Sequence, residues 1–143
     1  MAVAAEAAIR AWINSRADLV GEGNPLSGGA YLLQQRSPEG VTYAVISRQS
    51  EGVTNVVAED GAVGSARIQC LVFAGTQDVA EAAGKALRAE FETLTGCPEA
   101  CGDTGVRVLV SDNWLGPFAI APPPDSGEIY AYQVNADFLL TEF

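Results

Sequence analysis

The chain has 143 residues, 48% of them hydrophobic and 18% charged, which suits one packed globular domain. Its net charge of −10, carried mostly by the C-terminal half, leaves little basic surface for phosphates and argues against tight nucleic-acid binding. There is no His, which excludes Ser–His and Cys–His catalysis and imidazole zinc sites, and three Cys cannot complete an all-cysteine tetrahedral site within one chain.

Residues 3–20 read as an amphipathic helix, with Ala5, Ala8, Ile9, Trp12 and Leu19 near helical spacing. The stretch lacks the basic start of a signal peptide, and no run approaches the roughly 18 apolar residues of a membrane span. A protein made and kept in a cytosol is expected. Gly21 to Pro25 stops the helix, since Gly favours the C-cap and Pro cannot continue one. Residues 30–36 and 41–48 then read as two strands. Ser37-Pro38-Glu39-Gly40 between them has the pattern of a type I turn, so a hairpin is expected.

Residues 49–64 are Gly-punctuated and acidic, and are expected to form a flexible loop or a projecting hairpin arm. Residues 66–74, ARIQCLVFA, alternate at first and then become apolar on both faces, as in a covered strand. The period next changes from two to nearly four. Val79, Ala83, Leu87, Phe91 and Leu94 make the inner stripe of a helix over 77–95, with Glu81/Lys85 and Arg88/Glu92 as outer i,i+4 pairs. Thr76 or Asp78 can cap its start and Gly96 its end.

A strand is expected over 106–112, and a Pro-rich, partly apolar loop over 113–127. The chain closes on its longest alternation, in which Tyr130, Tyr132, Val134, Ala136, Phe138 and Leu140 point one way. The order is helix, three strands, helix, two strands. It predicts a single α+β domain over 1–143: a two-layer sandwich of four to five mostly antiparallel strands in a mixed sheet, with both helices on one face.

Few residues suggest chemistry. The strand–helix junction FAGTQD has one Gly, Gly75, and its helix opens with Asp78 and Glu81, which would repel a phosphate; it reads as a capped turn. Cys97 and Cys101 are spaced for a local disulfide, a redox couple or two plain thiols, and Cys70 reads as a small core residue. Glu59 with Asp60, Asp103 with Asp112, and Asp125 with Glu128 lack the spacing of a calcium loop and read as solvated charge. No cofactor or metal is expected. Trp114, Leu115 and Phe118 sit between Pro-containing segments, either as a small local core or as a patch for another subunit, and Phe143 ends an apolar terminus suited to an interface.

Several stretches together resemble the tail terminator, or tail completion, proteins of long-tailed bacteriophages, the minor tail protein U type. They are the N-terminal helix with its Gly-rich end, the strand TYAVISRQSEG, the run SARIQCLVFAGTQDVAEAAGKALRAEF, and the closing strand IYAYQVNADFLL. The Cys97–Cys101 loop and the Pro-rich segment depart from that pattern. The resemblance implies a non-enzymatic virion protein, assembled in the host cytoplasm. It would form a ring, usually a hexamer, that caps the tail tube, ends its polymerisation and joins it to the head–neck complex. Its partners would be other copies of itself, the tube protein and a neck protein, with DNA only passing through the lumen. The expected contact residues are Glu51, Val53, Val56, Val57, Glu59 and Asp60 in the first loop, and Trp114, Leu115, Phe118 and Phe143 near the C-terminus. Another neck component of the same fold, or a small ligand-binding or thiol-redox domain, are the alternatives.

Overall fold

The computed structural model describes residues 5–32, 42–50, 56–57, 62–94, 99–101, 106–121 and 130–142. Two helices, α1 (Ala5–Asn14) and α2 (Gln77–Glu92), pack on one side of a mixed sheet. The strands are β1 (Ala30–Leu32), β2 (Tyr43–Ser50), β3 (Val56–Val57), β4 (Ala62–Ala74), β5 (Glu99–Ala100), β6 (Val106–Ile120) and β7 (Tyr130–Glu142). Their order across the sheet is β1-β2-β4-β7-β6-β5, with β3 also paired to β4. This is the expected α+β two-layer arrangement, with more strands than the four to five anticipated. No helix among the described residues is long and apolar enough to cross a membrane.

Helix α1 ends at Asn14, well short of residue 20. The Ser15 hydroxyl donates to the Trp12 carbonyl, and the chain then closes tight turns with Leu19 and Val20 N–H both donating to Arg16 O. Asn24 Nδ2 donates to Ala17 O and Val20 O at 2.8 and 2.9 Å, satisfying carbonyls left open there. The Asn14 side chain turns instead toward β1. Its Oδ1 accepts from Ala30 N–H at 2.8 Å and its Nδ2 donates to Ala30 O at 3.1 Å, as a neighbouring strand would.

The expected hairpin between the first two strands does not form. β1 runs parallel to β2, with Ala30 opposite Ala44 and Leu32 opposite Ile46. Leu26 N–H donates to Leu19 O, Gly28 N–H to Thr42 O, and Ala44 N–H to Gly29 O. Gly29, at φ +82°, supplies the left-handed step that brings the chain alongside β2. Ser37 to Gly40, the supposed turn, lie outside the described residues.

Of residues 49–64, expected as a flexible loop or a projecting hairpin arm, 49–50, 56–57 and 62–64 lie in strands, and the antiparallel β3–β4 pairing fits the arm. β2 continues to Ser50, β3 pairs with Val63 and Ala62, and β4 begins at Ala62. β4 and β7 then pair without a break from Val63↔Thr141 to Ala74↔Tyr130. The largest departure is β6, expected to stop at 112 but running to Ile120. It carries Trp114, Leu115, Pro117 and Phe118 as strand rather than loop, through register shifts at Val108/Val110, Asp112/Leu115 and Leu115/Phe118. Asn113 (φ 51°) and Gly116 (φ 92°) make these bulges, and the Gly116–Pro117 bond is cis.

Helix α2 begins as the sequence suggests. Thr76 Oγ1 accepts from Val79 N–H, and Asp78 sits in the first turn. It ends earlier than 95, at Glu92, where the Thr93 hydroxyl donates to Glu90 O. Its buried face is Ala80, Ala83, Gly84, Leu87 and Phe91, while Val79, placed on the inner stripe by spacing, is 47% exposed. The outer half divides in two. Glu81–Lys85 and Arg88–Glu92 ion pairs lie on one flank; Val79, Ala82 and Ala89 lie exposed on the other, with Ala86 half-buried beside them.

The core centres on three rings. Trp12 of α1 stacks on Phe91 of α2 at 5.8 Å, and Phe91 meets Phe138 of β7 edge-on at 5.0 Å. Ile68, Cys70, Val72, Val134 and Ala136 complete the sheet's inner face. A half-buried ionic group closes the top: Arg16 lies over the Trp12 ring at 5.6 Å and reaches Glu90 at 3.2 Å. Burial pushes the Glu90 carboxyl up, as does its hydrogen bond with Asp18, while Arg16 opposes the shift. Farther along α2, a Cβ on Gly84 would stand 2.7 Å from Pro117 Cβ, so helix and bulged strand meet with no room for a side chain.

Truncating Phe91 removes the ring shared by both helices and the sheet. Phe91→Ala is expected to lower unfolding free energy by about 3–5 kcal/mol in a urea titration. Gly84→Leu should overpack the Pro117 contact and cost about 1–3 kcal/mol by the same measurement.

Candidate interaction surface

With both described helices on one side, the side chains that alternate with the core residues point to the sheet's other side. Phe73, Ala131 and Asn135 among them are buried, and the exposed part lies toward β6. Residues opposite one another in an antiparallel register share a face, so this surface can be read in rows. Tyr43, Phe73, Ala131 and Ile120 form one row, and Val45, Leu71, Gln133 and Phe118 the next. Ser47, Gln69, Asn135 and Leu115 form a third, and Arg67 with Asp137 and Asp112 begins a fourth.

The first three rows contain no Asp, Glu, Lys or Arg, in a chain of net charge −10. Tyr43 packs on Phe73 at 5.2 Å and meets Tyr31 edge-on at 6.1 Å, which closes that end. At the β6 end, Leu115 is 48% and Phe118 42% exposed. Between them Gln133 Nε2 donates to Asn135 Oδ1 at 3.1 Å, so neighbouring amides satisfy each other. The bulges of β6 cause this arrangement. Gly116 passes so close to β7 that a Cβ there would strike the Gln133 carbonyl oxygen. Arg88 of α2 anchors the same residue by donating to Gly116 O.

The three C-terminal residues singled out from sequence therefore divide. Trp114 turns toward the helices, packs on the core, and donates through Nε1 to the buried Ser111 hydroxyl at 2.8 Å. Leu115 and Phe118 face outward, exposed, on the side of the sheet away from the helices. Of the first-loop residues, Val56 and Val57 lie on β3; Glu51, Val53, Glu59 and Asp60 lie outside the described residues, as do Phe143 and Cys97. Cys101 is buried, with its N–H donating to Val106 O at 2.9 Å. Burial also pushes the Cys70 thiol up, which keeps it unreactive. Residues that sequence reasoning passed over, Gln69, Gln133, Asn135 and the Arg67–Asp137 pair, make up much of the surface. Their alternation with core residues along β4 and β7 was the available signal.

The fourth row borders the uncharged region with one ion pair. Arg67 Nε donates to Asp137 Oδ1 at 2.9 Å, and Asn113 Nδ2 donates to Oδ2 at 2.9 Å. Partial burial pushes the Asp137 carboxyl up, but these hydrogen bonds and the Arg67 charge outweigh it and hold it below its ordinary 3.8. Elsewhere, a cleft of about 630 Å³ is lined by Arg10, Asn14, Ser27 and Tyr31 among others. The Asn14 amide and the Gly28 and Gly29 N–H groups at its wall are already bonded within the chain. No group of three Cys, Asp or Glu among the described residues comes together to hold a metal ion.

The depressed Asp137 value gives the acid limb of stability a definite sign. Its contribution is complete above the ordinary value of 3.8 and is lost as pH falls through the lower folded value. Asp137→Asn should therefore flatten the fall in urea midpoint below about pH 4 while lowering the midpoint at pH 7. Comparison of the chain with protein-family models finds no match, and comparison with curated proteins finds none either.

Proposed function

We propose that this chain is a structural protein of a long-tailed bacteriophage. Copies of it would form a ring, usually a hexamer, that caps the tail tube, ends its growth and meets the head–neck complex. Its place would be the head-proximal end of the virion tail. The observation that carries this reading is the uncharged sheet face with Leu115 and Phe118 turned outward, on a strongly acidic chain. Interface centres are depleted in charge and rich in aromatic groups, and this face has that composition. The sequence resemblance supplies the assembly to which such a face would belong. The acidic remainder suits a lumen that DNA traverses without being held, since attraction would slow its passage.

The test is assembly with and without tube protein. Light scattering and negative-stain imaging should show closed rings, either free or seated on tube ends. A protein that stays strictly monomeric and leaves tube length unchanged would overturn the proposal. Depletion during infection separates a terminator from another neck component of the same fold: loss of a terminator should produce overlong tails.

A further inference from the structure

We infer that the exposed Leu115/Phe118 side of the sheet and the apolar flank of α2 are the two halves of one head-to-tail contact. The Leu115/Phe118 surface of one copy would seat on Val79, Ala82 and Ala89 of the next. The inference rests on the ring reading above and names the surfaces that build it.

Three observations select this occupant. The first is charge. In a chain of net charge −10, copies repel unless they meet where carboxylates are few. The three sheet rows carry no charged residue. On α2 the Glu81–Lys85 and Arg88–Glu92 pairs lie on the other flank, and the carboxylates that border the apolar flank are Asp78 in the first turn and Glu90, which Arg16 neutralises.

The second is placement. The two apolar surfaces lie on opposite layers of the sandwich and differ in shape. One has two protruding side chains, Leu115 and Phe118; the other is a helix flank of small residues. A two-fold pairing of sheet face on sheet face would leave Val79 exposed at 47% in both copies. A head-to-tail contact covers both surfaces in every copy, and closes if the rotation between copies allows. It also gives the sheet a helix on its second face, the usual way a sheet is covered on both sides.

The third is area. Four strands about 4.8 Å apart and five residues at about 3.4 Å give a face of at most about 300 Å², part of which is taken by the buried Phe73, Ala131 and Asn135. A stable pair buries about 800 Å² on each partner. One such contact would not hold an isolated dimer, whereas a ring gives each copy two contacts. This accounts for modest patches on a protein that assembles only in number.

Cross-linking tests the geometry. Phe118→Cys and Ala82→Cys, each in a Cys97→Ser background, would be treated with a short bismaleimide, alone and mixed. The mixture should cross-link and each variant alone should not. A chain carrying both cysteines should give a ladder that ends at the ring number. Cross-linking of Phe118→Cys to itself would overturn the inference, since it reports face-to-face pairing. So would assembly by light scattering without any mixed cross-link. Leu115→Glu, at an exposed position, should raise the concentration for assembly at least tenfold with an unchanged circular dichroism spectrum; an unchanged assembly concentration counts against the contact. Cross-linked rings that ignore tube protein would leave this contact standing and remove the tail reading. Rings that cap tubes without the cross-link would do the reverse.

Discussion

Phe91 is the side chain on which the two layers converge. Its ring is stacked by Trp12 from one helix and met edge-on by Phe138 from the middle of the sheet. A helix as short as α1, ten residues, is marginal alone in water, so its existence depends on this contact. The same is true of its position. With Trp12 fixed on Phe91 and Arg16 held between the Trp12 ring and Glu90, the end of α1 is set against the last turn of α2. From there the Asn14 amide reaches Ala30 and places β1. A small aromatic group therefore helps to set where one edge of the sheet lies.

The opposite edge is governed by different physics. β6 stays attached to β7 over its whole length, yet slips register three times. The slips follow from Gly116, which has no Cβ to collide with Gln133 O, and from Pro117, which fills the space left by Gly84 on α2. Trp114 turns inward and Leu115 and Phe118 turn outward as a result. The surface that carries the proposed contact is thus a product of helix packing on the other side of the sheet.

These two edges also explain what was legible in the sequence. The β4–α2 junction and β7 were readable because their periods change sharply and their polar positions alternate cleanly. The direction of β1 was not, because it is decided by a side chain sixteen residues earlier and by the Gly29 step. A local turn pattern at 37–40 says nothing of the direction in which the strands on either side pair. β6 was hidden because Gly and Pro read as strand breakers, while a strand near the sheet's edge accommodates both at bulges. Val79 was misplaced for a simpler reason. A strict step of four drifts about 40° each time around a helix, so a stripe that runs through the buried Leu87 and Phe91 is already off the core axis where it begins, at Val79. The outer face is hard to read because its residues are the alternates of strands whose other side forms the core, and because Leu115 and Phe118 lie on a strand whose Gly and Pro read as loop.

The Asn14–Ala30 pairing has a consequence for how copies of this protein can meet. By engaging both the N–H and the carbonyl of Ala30, the amide takes the place a further strand would occupy. Extension of the sheet from one molecule into the next is blocked there at its first step, and on the other side the edge is only the two-residue β5, beside the bulged, Pro-bearing β6. Open-ended growth by backbone pairing, the route to fibrils, is therefore closed off at the ladder's ends, and association is left to the side chains of the faces.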